Sequence, residues 1–329
     1  MITVNLDKKL DFADDIFPKA WVFYRLRSDS AVLYTGYCAR LSAKMRQFMA
    51  QTQDDPLISE LISKSKYLDY EVQDSALAAL ARYKINLQHE APEYQFRIHP
   101  FRYYVYLALD AYRFPFISIQ ETTNDDWQYL GPWRSRFFLV DTIDSLCRIL
   151  KLPYCETGTY PCYKLDEGLC RGWCMNLVEA PQEPAEDHEA KAAEAPATEH
   201  SLEKLETLLK ETFMHPNNGI YEMVQKEREA YFEDLEFAKA DLLDDELWLL
   251  GKYRDWLNFL FVAKNLEYSD AIYEIRGGQL ISATYEGKNY HFTSDNPPYR
   301  ENEALALPLN KVDEMKVIYD YIREQINAR

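Results

Sequence analysis

Between Val178 and His200 the sequence reads VEAPQEPAEDHEAKAAEAPATEH. This stretch holds almost no large apolar side chain, so it cannot bury enough surface to offset the entropy of ordering it. Pro181, Pro184 and Pro196 oppose a continuous helix, and the like charges favour an extended chain. The 329 residues are therefore expected to fold as modules on either side of an acidic Ala/Pro/Glu linker at 177–200.

Charge divides at the same place. The formal net charge is −17. Over residues 1–176 acids exceed bases by one, so −16 falls on residues 177–329. A strongly acidic chain argues against a nucleic-acid binder, yet the near-neutral first half can still carry a basic face. No segment reaches the roughly 18 apolar residues of a membrane span, so no membrane partner is expected. The start, MITVNLDKKLDFADD, lacks a signal-peptide layout, and the default expectation is a cytoplasmic protein.

Before the linker, short Val- and aromatic-rich runs alternate with helical patterns, which predicts an α/β (α+β) fold. Strands are expected over Ala20–Leu26, Val32–Tyr34, Arg102–Ala108 and Phe116–Glu121. Helices are expected over Ala39–Met49, Ser75–Leu87 and Phe137–Leu150. After the linker, Ser201–Thr212 and Tyr221–Leu266 read as helical, with Phe232, Leu235, Leu242, Leu243, Leu247 and Leu250 at three-to-four spacing. The pattern predicts a helical hairpin. A β-hairpin over Ile272–Thr284, a third strand at Tyr290–Phe292 and a helix over Asn310–Ile326 close the chain.

Six cysteines in such a chain argue against a disulfide framework. Cys38 and Cys147 are isolated and read as buried thiols. The other four, Cys155, Cys162, Cys170 and Cys174, follow a C-x6-C-x7-C-x3-C pattern. Structural zinc usually shows tighter paired knuckles, whereas four thiolates on longer loops can hold a [4Fe–4S] cluster. Spacing alone leaves both metals open.

A collinear series of short motifs over residues 18–174 resembles the N-terminal half of the UvrC family of DNA-repair endonucleases and its shorter relative Cho. Val22-Phe23-Tyr24 and Tyr34-Thr35-Gly36 sit where that family has its GIY and YIG strands. Gly36–Met49 is similar to the following helix, and Asp74-Ser75 through Leu87 to the next. Pro92-Glu93-Tyr94-Gln95, Phe114-Pro115 and Tyr129-Leu130-Gly131-Pro132 match later turns. The x7 and x3 cysteine spacings match as well. Past the linker, Leu235-Glu236-Phe237 through Leu247 resembles the UVR motif, although Asp241 and Asp244 replace an Ala and an Arg.

The resemblance implies a GIY-YIG nuclease-like domain at 1–100 and a cysteine region at 101–176 holding a [4Fe–4S] cluster. It further implies a helical region at 201–265 that binds a UvrB-like protein through Leu235, Phe237 and Leu247, and a C-terminal β-hairpin and helix at 266–329. In the family, two tyrosines, an arginine and a glutamate that holds Mg²⁺ carry out phosphodiester hydrolysis. Carried over by position, the tyrosines are Tyr24 and Tyr34, the arginine is Lys44, and the glutamate is Tyr83. A lysine lacks the planar fork that grips phosphate, and a phenol is a poor Mg²⁺ ligand. Tyr37, Phe48 and Gln95 also replace family residues. The resemblance thus implies a nucleotide excision repair protein that binds DNA, through Arg40, Lys44 and Arg46, or a repair partner, with an impaired nuclease site. Two alternatives remain open. One is an active, Mg²⁺-dependent Cho-like endonuclease using another carboxylate such as Glu71, Asp74 or Glu90. The other is an acidic protein-interaction scaffold.

Overall fold

The structure is a computed structural model that describes residues 1–6, 16–152, 154–155, 163–174, 202–214, 218–294 and 300–327. The linker and Cys162 lie outside the described residues. In chain order the elements are β1 (Ile2–Asn5), β2 (Val22–Arg27), β3 (Val32–Cys38), α1 (Leu41–Gln51), α2 (Pro56–Lys64), β4 (Tyr67–Val72) and α3 (Ala76–His89). Then come β5 (Val105–Leu109), β6 (Ile117–Gln120), β7 (Gln128–Trp133), α4 (Arg136–Leu150), α5 (Tyr163–Asp166), α6 (Leu202–Phe213), α7 (Asn218–Glu233) and α8 (Phe237–Ala263). The last are β8 (Tyr268–Ser269), β9 (Tyr273–Arg276), β10 (Gln279–Tyr285), β11 (Lys288–His291), β12 (Leu305–Ala306) and α9 (Val312–Asn327). Helices mixed with small sheets make this the expected α/β class.

Contacts divide the chain into two compact units. The first comprises Met1–Arg102, Val262–Pro297 and Leu309–Arg329; the second comprises Tyr103–Phe261 and Pro298–Pro308. The sequence sets 266–329 apart as its own region, but most of it belongs to the first unit.

In the first unit an antiparallel sheet has the order β1-β4-β2-β3. Alternation on β2 sends Val22, Tyr24 and Leu26 into one core with Leu41, Met45 and Phe48 of α1 and Ile58 and Leu61 of α2. Helix α2 starts where Asp55 accepts from the amides of Leu57 (2.9 Å) and Ile58, with Pro56 at its first position. Strand β4 buries a charge: Asp69, opposite Arg25, accepts from Arg27 Nε (2.7 Å), Arg25 Nη2 (3.1 Å) and Thr3 (2.8 Å). Paired and hydrogen-bonded on every side, that carboxylate is compatible with a central strand.

The same unit holds a second sheet, β11-β10-β9-β8. It shares a core with α3 and α9, built from Leu77, Leu80 and Ile85 against Ile275, Leu280 and Ile318. Tyr37 and Tyr83 pack against this core.

In the second unit the sheet order is β12-β7-β5-β6, with β12 parallel to β7. Tyr129-Leu130-Gly131-Pro132, expected as a turn, lies inside β7. Gly131 has φ +136°, and a Cβ there would stand 3.1–3.2 Å from Trp133, Tyr106 and the Val105 carbonyl, so only glycine fits. Trp133 stacks on Tyr253 of α8 with centroids 4.7 Å apart, and the Tyr253 hydroxyl donates to the Phe213 carbonyl of α6 (2.7 Å).

Candidate functional site

The antiparallel register sets Tyr24 opposite Gly36 and Leu26 opposite Tyr34. The Tyr24 ring therefore lies over Gly36, where a Cβ would meet its hydroxyl at 2.6 Å. The two tyrosine rings are 6.4 Å apart, and Tyr34 packs edge-on against Phe48 at 5.6 Å. Tyr24 is 1% and Tyr34 5% exposed. Burial pushes both phenols well above their ordinary range, and each is raised further by a neighbouring tyrosine. Both are neutral, core-packed hydroxyls at physiological pH.

Lys44 on α1 stands beside this pair. Its ammonium lies 4.8 Å from the Phe48 ring centre and donates to Gln47 Oε1 (3.2 Å). Burial lowers its pKa, opposed by the Cys38 thiol and the Asp313 carboxylate. Arg40 and Arg46, the other predicted DNA contacts, are exposed on α1. Cys38, expected as a buried thiol, is half-buried, and burial pushes it up to about 11.

Tyr83, at the carboxylate position, projects from α3 toward the open edge of β3. Its ring sits 5.3 Å from Tyr37. Gln95 Nε2 donates to the Tyr83 hydroxyl (3.1 Å), while Gln95 Oε1 accepts the Thr35 amide of β3 (3.1 Å). One glutamine side chain thus bridges edge strand and helix. Burial, then the nearby Glu314 charge, push the Tyr83 phenol up to about 12 despite the Gln95 bond. Tyr24, Tyr34, Tyr83 and Lys44 therefore lie in one neighbourhood, and their three phenols, with the Gln95 amide, supply no anionic oxygen at neutral pH.

Of the alternative carboxylates, Glu71 and Glu90 are engaged elsewhere. Glu71 accepts from the Tyr285 hydroxyl (2.7 Å), Gln73 Nε2 (2.9 Å) and Arg82 Nε (3.3 Å). Burial opposes its ionisation, but these bonds and the Arg82 charge outweigh it and lower the carboxyl. Glu90 pairs with Arg25 Nη1 at 3.0 Å. Asp74 lies within electrostatic reach of Tyr273. Gln95 is visible in the sequence as a replaced residue, but its bridging role is not. Asp313 and Glu314, more than two hundred residues downstream of Lys44 and Lys84, give no local signal at all.

In the second unit, Cys170 is buried and Cys155 and Cys174 are half-buried. Gly172 donates its amide to Cys170 Sγ at 3.4 Å, an N–H···S contact that favours a thiolate. The loop is pinned by Lys164, whose ammonium donates to the Tyr154 carbonyl (2.8 Å) and whose carbonyl accepts the Leu169 and Cys170 amides. Cys147 is less isolated than its sequence suggests. Its buried thiol feels Asp144, Lys164 and the thiols of Cys155 and Cys170. The donor chemistry suits a thiolate-held cluster. Among the described residues no three such side chains converge as a metal site, and Cys162 lies outside them.

Helices α7 and α8 form the expected hairpin. Arg228 pairs with Asp244 through two 3.0 Å bonds, and Phe232 meets Phe237 at 5.4 Å. Leu235 turns the chain at φ +62° and is 72% exposed. Phe237, Leu242 and Trp248 are also exposed, while Leu247 is half-buried beside buried Ala240, Leu243 and Leu250. Among the described residues no helix is long and apolar enough to cross a membrane.

A family model described as the middle domain of the UvrC/Cho excinuclease matches residues 104–197. Curated relatives named UvrABC system protein C share low identity. The one from Pseudomonas fluorescens is 23% identical over 240 residues, covering 71% of this chain and 36% of that protein. That from Xanthomonas euvesicatoria is 24% identical over 230 residues, with 68% and 36% covered. That from Ruminiclostridium cellulolyticum is 25% identical over 170 residues, with 49% and 28% covered. The chain thus spans about a third of the length of these relatives. No solved structure matches it. The middle-domain match and the relatives running over most of the chain make it similar to UvrC and Cho proteins.

Proposed function

We propose that this protein acts in nucleotide excision repair by binding DNA and a repair partner, and that its GIY-YIG-like groove does not cut. The observation carrying this reading is Tyr83, a neutral phenol tied to Gln95 where a metal-binding carboxylate is required. A bound metal stabilises the charge of phosphodiester hydrolysis by several kcal/mol, and each ~1.4 kcal/mol is tenfold in rate. Without the ligand, incision falls by orders of magnitude, and Lys44 in place of a bidentate arginine lowers it further. An active endonuclease would need another carboxylate, Asp74, Glu90 or Glu71, of which Glu71 already accepts three bonds and Glu90 pairs with Arg25.

Contact with DNA then rests on Arg40 and Arg46, with half-buried Lys44 contributing least, and weakens as salt rises. We further propose that Cys155, Cys162, Cys170 and Cys174 hold a [4Fe–4S] cluster that staples a loop-rich segment. The hairpin of residues 201–265 is proposed to bind a UvrB-type protein through Leu235 and Phe237 at its exposed tip. Calorimetry with such a partner tests this, and no heat at micromolar concentration removes it. The groove reading is tested by titrating Mn²⁺ and following its paramagnetic signal. The wild-type chain is expected to give no site abolished by Tyr83→Ala, whereas Tyr83→Glu with Lys44→Arg gains one. A specific wild-type site lost in Glu71→Gln would replace this reading with the active endonuclease.

A further inference from the structure

The Tyr83 side of the tyrosine site is covered by the C-terminal sheet and α9. Helix α3, which carries Tyr83, presents Leu77, Leu80, Ala81 and Ile85 to the second sheet and α9. Three polar contacts fasten this face and a fourth ties β10 to β4. The Lys84 ammonium donates to Glu314 Oε1 (2.6 Å) and to the Leu280 carbonyl (3.2 Å), Gln88 Nε2 to the His291 carbonyl (2.5 Å), and the Tyr285 hydroxyl to Glu71 (2.7 Å). Glu314 also accepts the Leu280 amide at 3.0 Å, which fixes α9 to β10.

The first turn of α9 is acidic, with Asp313 and Glu314 side by side. Glu314 pairs with Lys84 at 2.6 Å on the helix that carries Tyr83, and its neighbour Asp313 contributes a negative charge felt at Lys44. A nucleic-acid backbone entering here would present anionic oxygens to the same lysines, which satisfy a phosphate as readily as a carboxylate.

We propose that the C-terminal sheet and helix of the first unit, residues 266–294 and 309–327, are a built-in cover over the Tyr83 side of the tyrosine site, with Glu314 on Lys84, and Asp313 beside it, standing where nucleic-acid phosphates would pair. While this segment is docked, Lys84 is withheld from DNA and the charge of Lys44 is offset by Asp313, while Arg40 and Arg46 stay exposed at α1. This goes beyond the absence of cutting. Loss of the metal ligand alone leaves the groove able to bind, whereas an internal occupant also governs entry.

The test uses the full chain and a fluorescein-labelled DNA duplex, read by anisotropy at several salt concentrations. Asp313→Asn with Glu314→Gln keeps the shape of the first turn and its bond-accepting oxygens but removes both charges. It is expected to raise affinity about three- to tenfold and to steepen the salt dependence by about one to two ion equivalents. Adding Lys44→Ala and Lys84→Ala should cancel the gain. Tyr285→Phe, which loosens the latch to Glu71 without touching either lysine or either acid, should move affinity the same way to a smaller extent. Circular dichroism confirms that each variant is folded. Affinity and salt slope equal to wild type in both the acid variant and Tyr285→Phe, including no binding in any of them, overturns the proposal. Neither result depends on nicking, so a failed occupant and a cutting groove are told apart.

Discussion

Replacing Lys84 by Met should destabilise the first unit by about 2–3 kcal/mol. The side chain is 15% exposed and its partner Glu314 12%, with 2.6 Å between them. Removing one member of a buried ion pair costs about 3–5 kcal/mol, because the other charge is stranded. Here the Leu280 amide still donates to Glu314 and some water reaches the pair, which brings the cost toward the lower figure. Met keeps the aliphatic stem of Lys84 but loses the ammonium 5.1 Å from the Phe292 ring centre, a further small cost. For a unit of this size, 1 kcal/mol is about 2–4 °C in Tm. The second replacement separates charge from packing. In Lys84→Met with Glu314→Leu no charge is stranded, the Leu280 amide loses its acceptor at about 1–3 kcal/mol, and the double variant should be no less stable than the single one. Urea unfolding at constant m measures both. A Lys84→Met loss under about 0.5 kcal/mol, or a double variant that simply adds a second loss, refutes the claim that this pair holds α9 to α3.

Gly36→Ala should cost about 1–3 kcal/mol by overpacking, since the new methyl meets the buried Tyr24 ring; a neutral effect in thermal melts means the ring is free to move. Glu71 is lowered in the folded chain, so the unfolded chain takes up the proton first. The stability it contributes is therefore full above the ordinary carboxylate pKa of about 4.3 and lost as pH falls through the lower folded value. Glu71→Gln should flatten the acid limb of a stability–pH curve, and an unchanged limb contradicts the latch. Iron and acid-labile sulfide should copurify with the wild type and with Cys38→Ser but not with Cys170→Ser; stoichiometric zinc without iron overturns the cluster.

Much of the fold is legible because its cores are periodic. The strands at Val22–Arg27 and Val32–Cys38 and the helices α1, α3, α4 and α9 fall within a few residues of where spacing puts them. Strand β4 was not legible, because Asp69 and Glu71 interrupt its apolar pattern and are neutralised by Arg25, Arg27, Arg82 and Tyr285 from distant segments. Helix α2 carried a readable start, Asp55-Pro56, but its short length hid it. At the site, the Tyr24, Tyr34, Lys44 and Tyr83 positions are readable one by one. The Gln95 bridge and the approach of α9 are not, since both are long-range contacts with no periodic or motif signature. The same holds for Cys147, isolated in sequence yet within reach of two of the loop thiols.

The most direct measurement is relaxation of supercoiled plasmid, undamaged and ultraviolet-irradiated, by the purified full chain with Mg²⁺ or Mn²⁺. A groove with Tyr83 at the metal-ligand position predicts no nicking above the level of a Tyr34→Phe control. Metal-dependent nicking by the wild type that Tyr34→Phe abolishes would contradict it, and would mean that a carboxylate outside the Tyr83 position holds the metal.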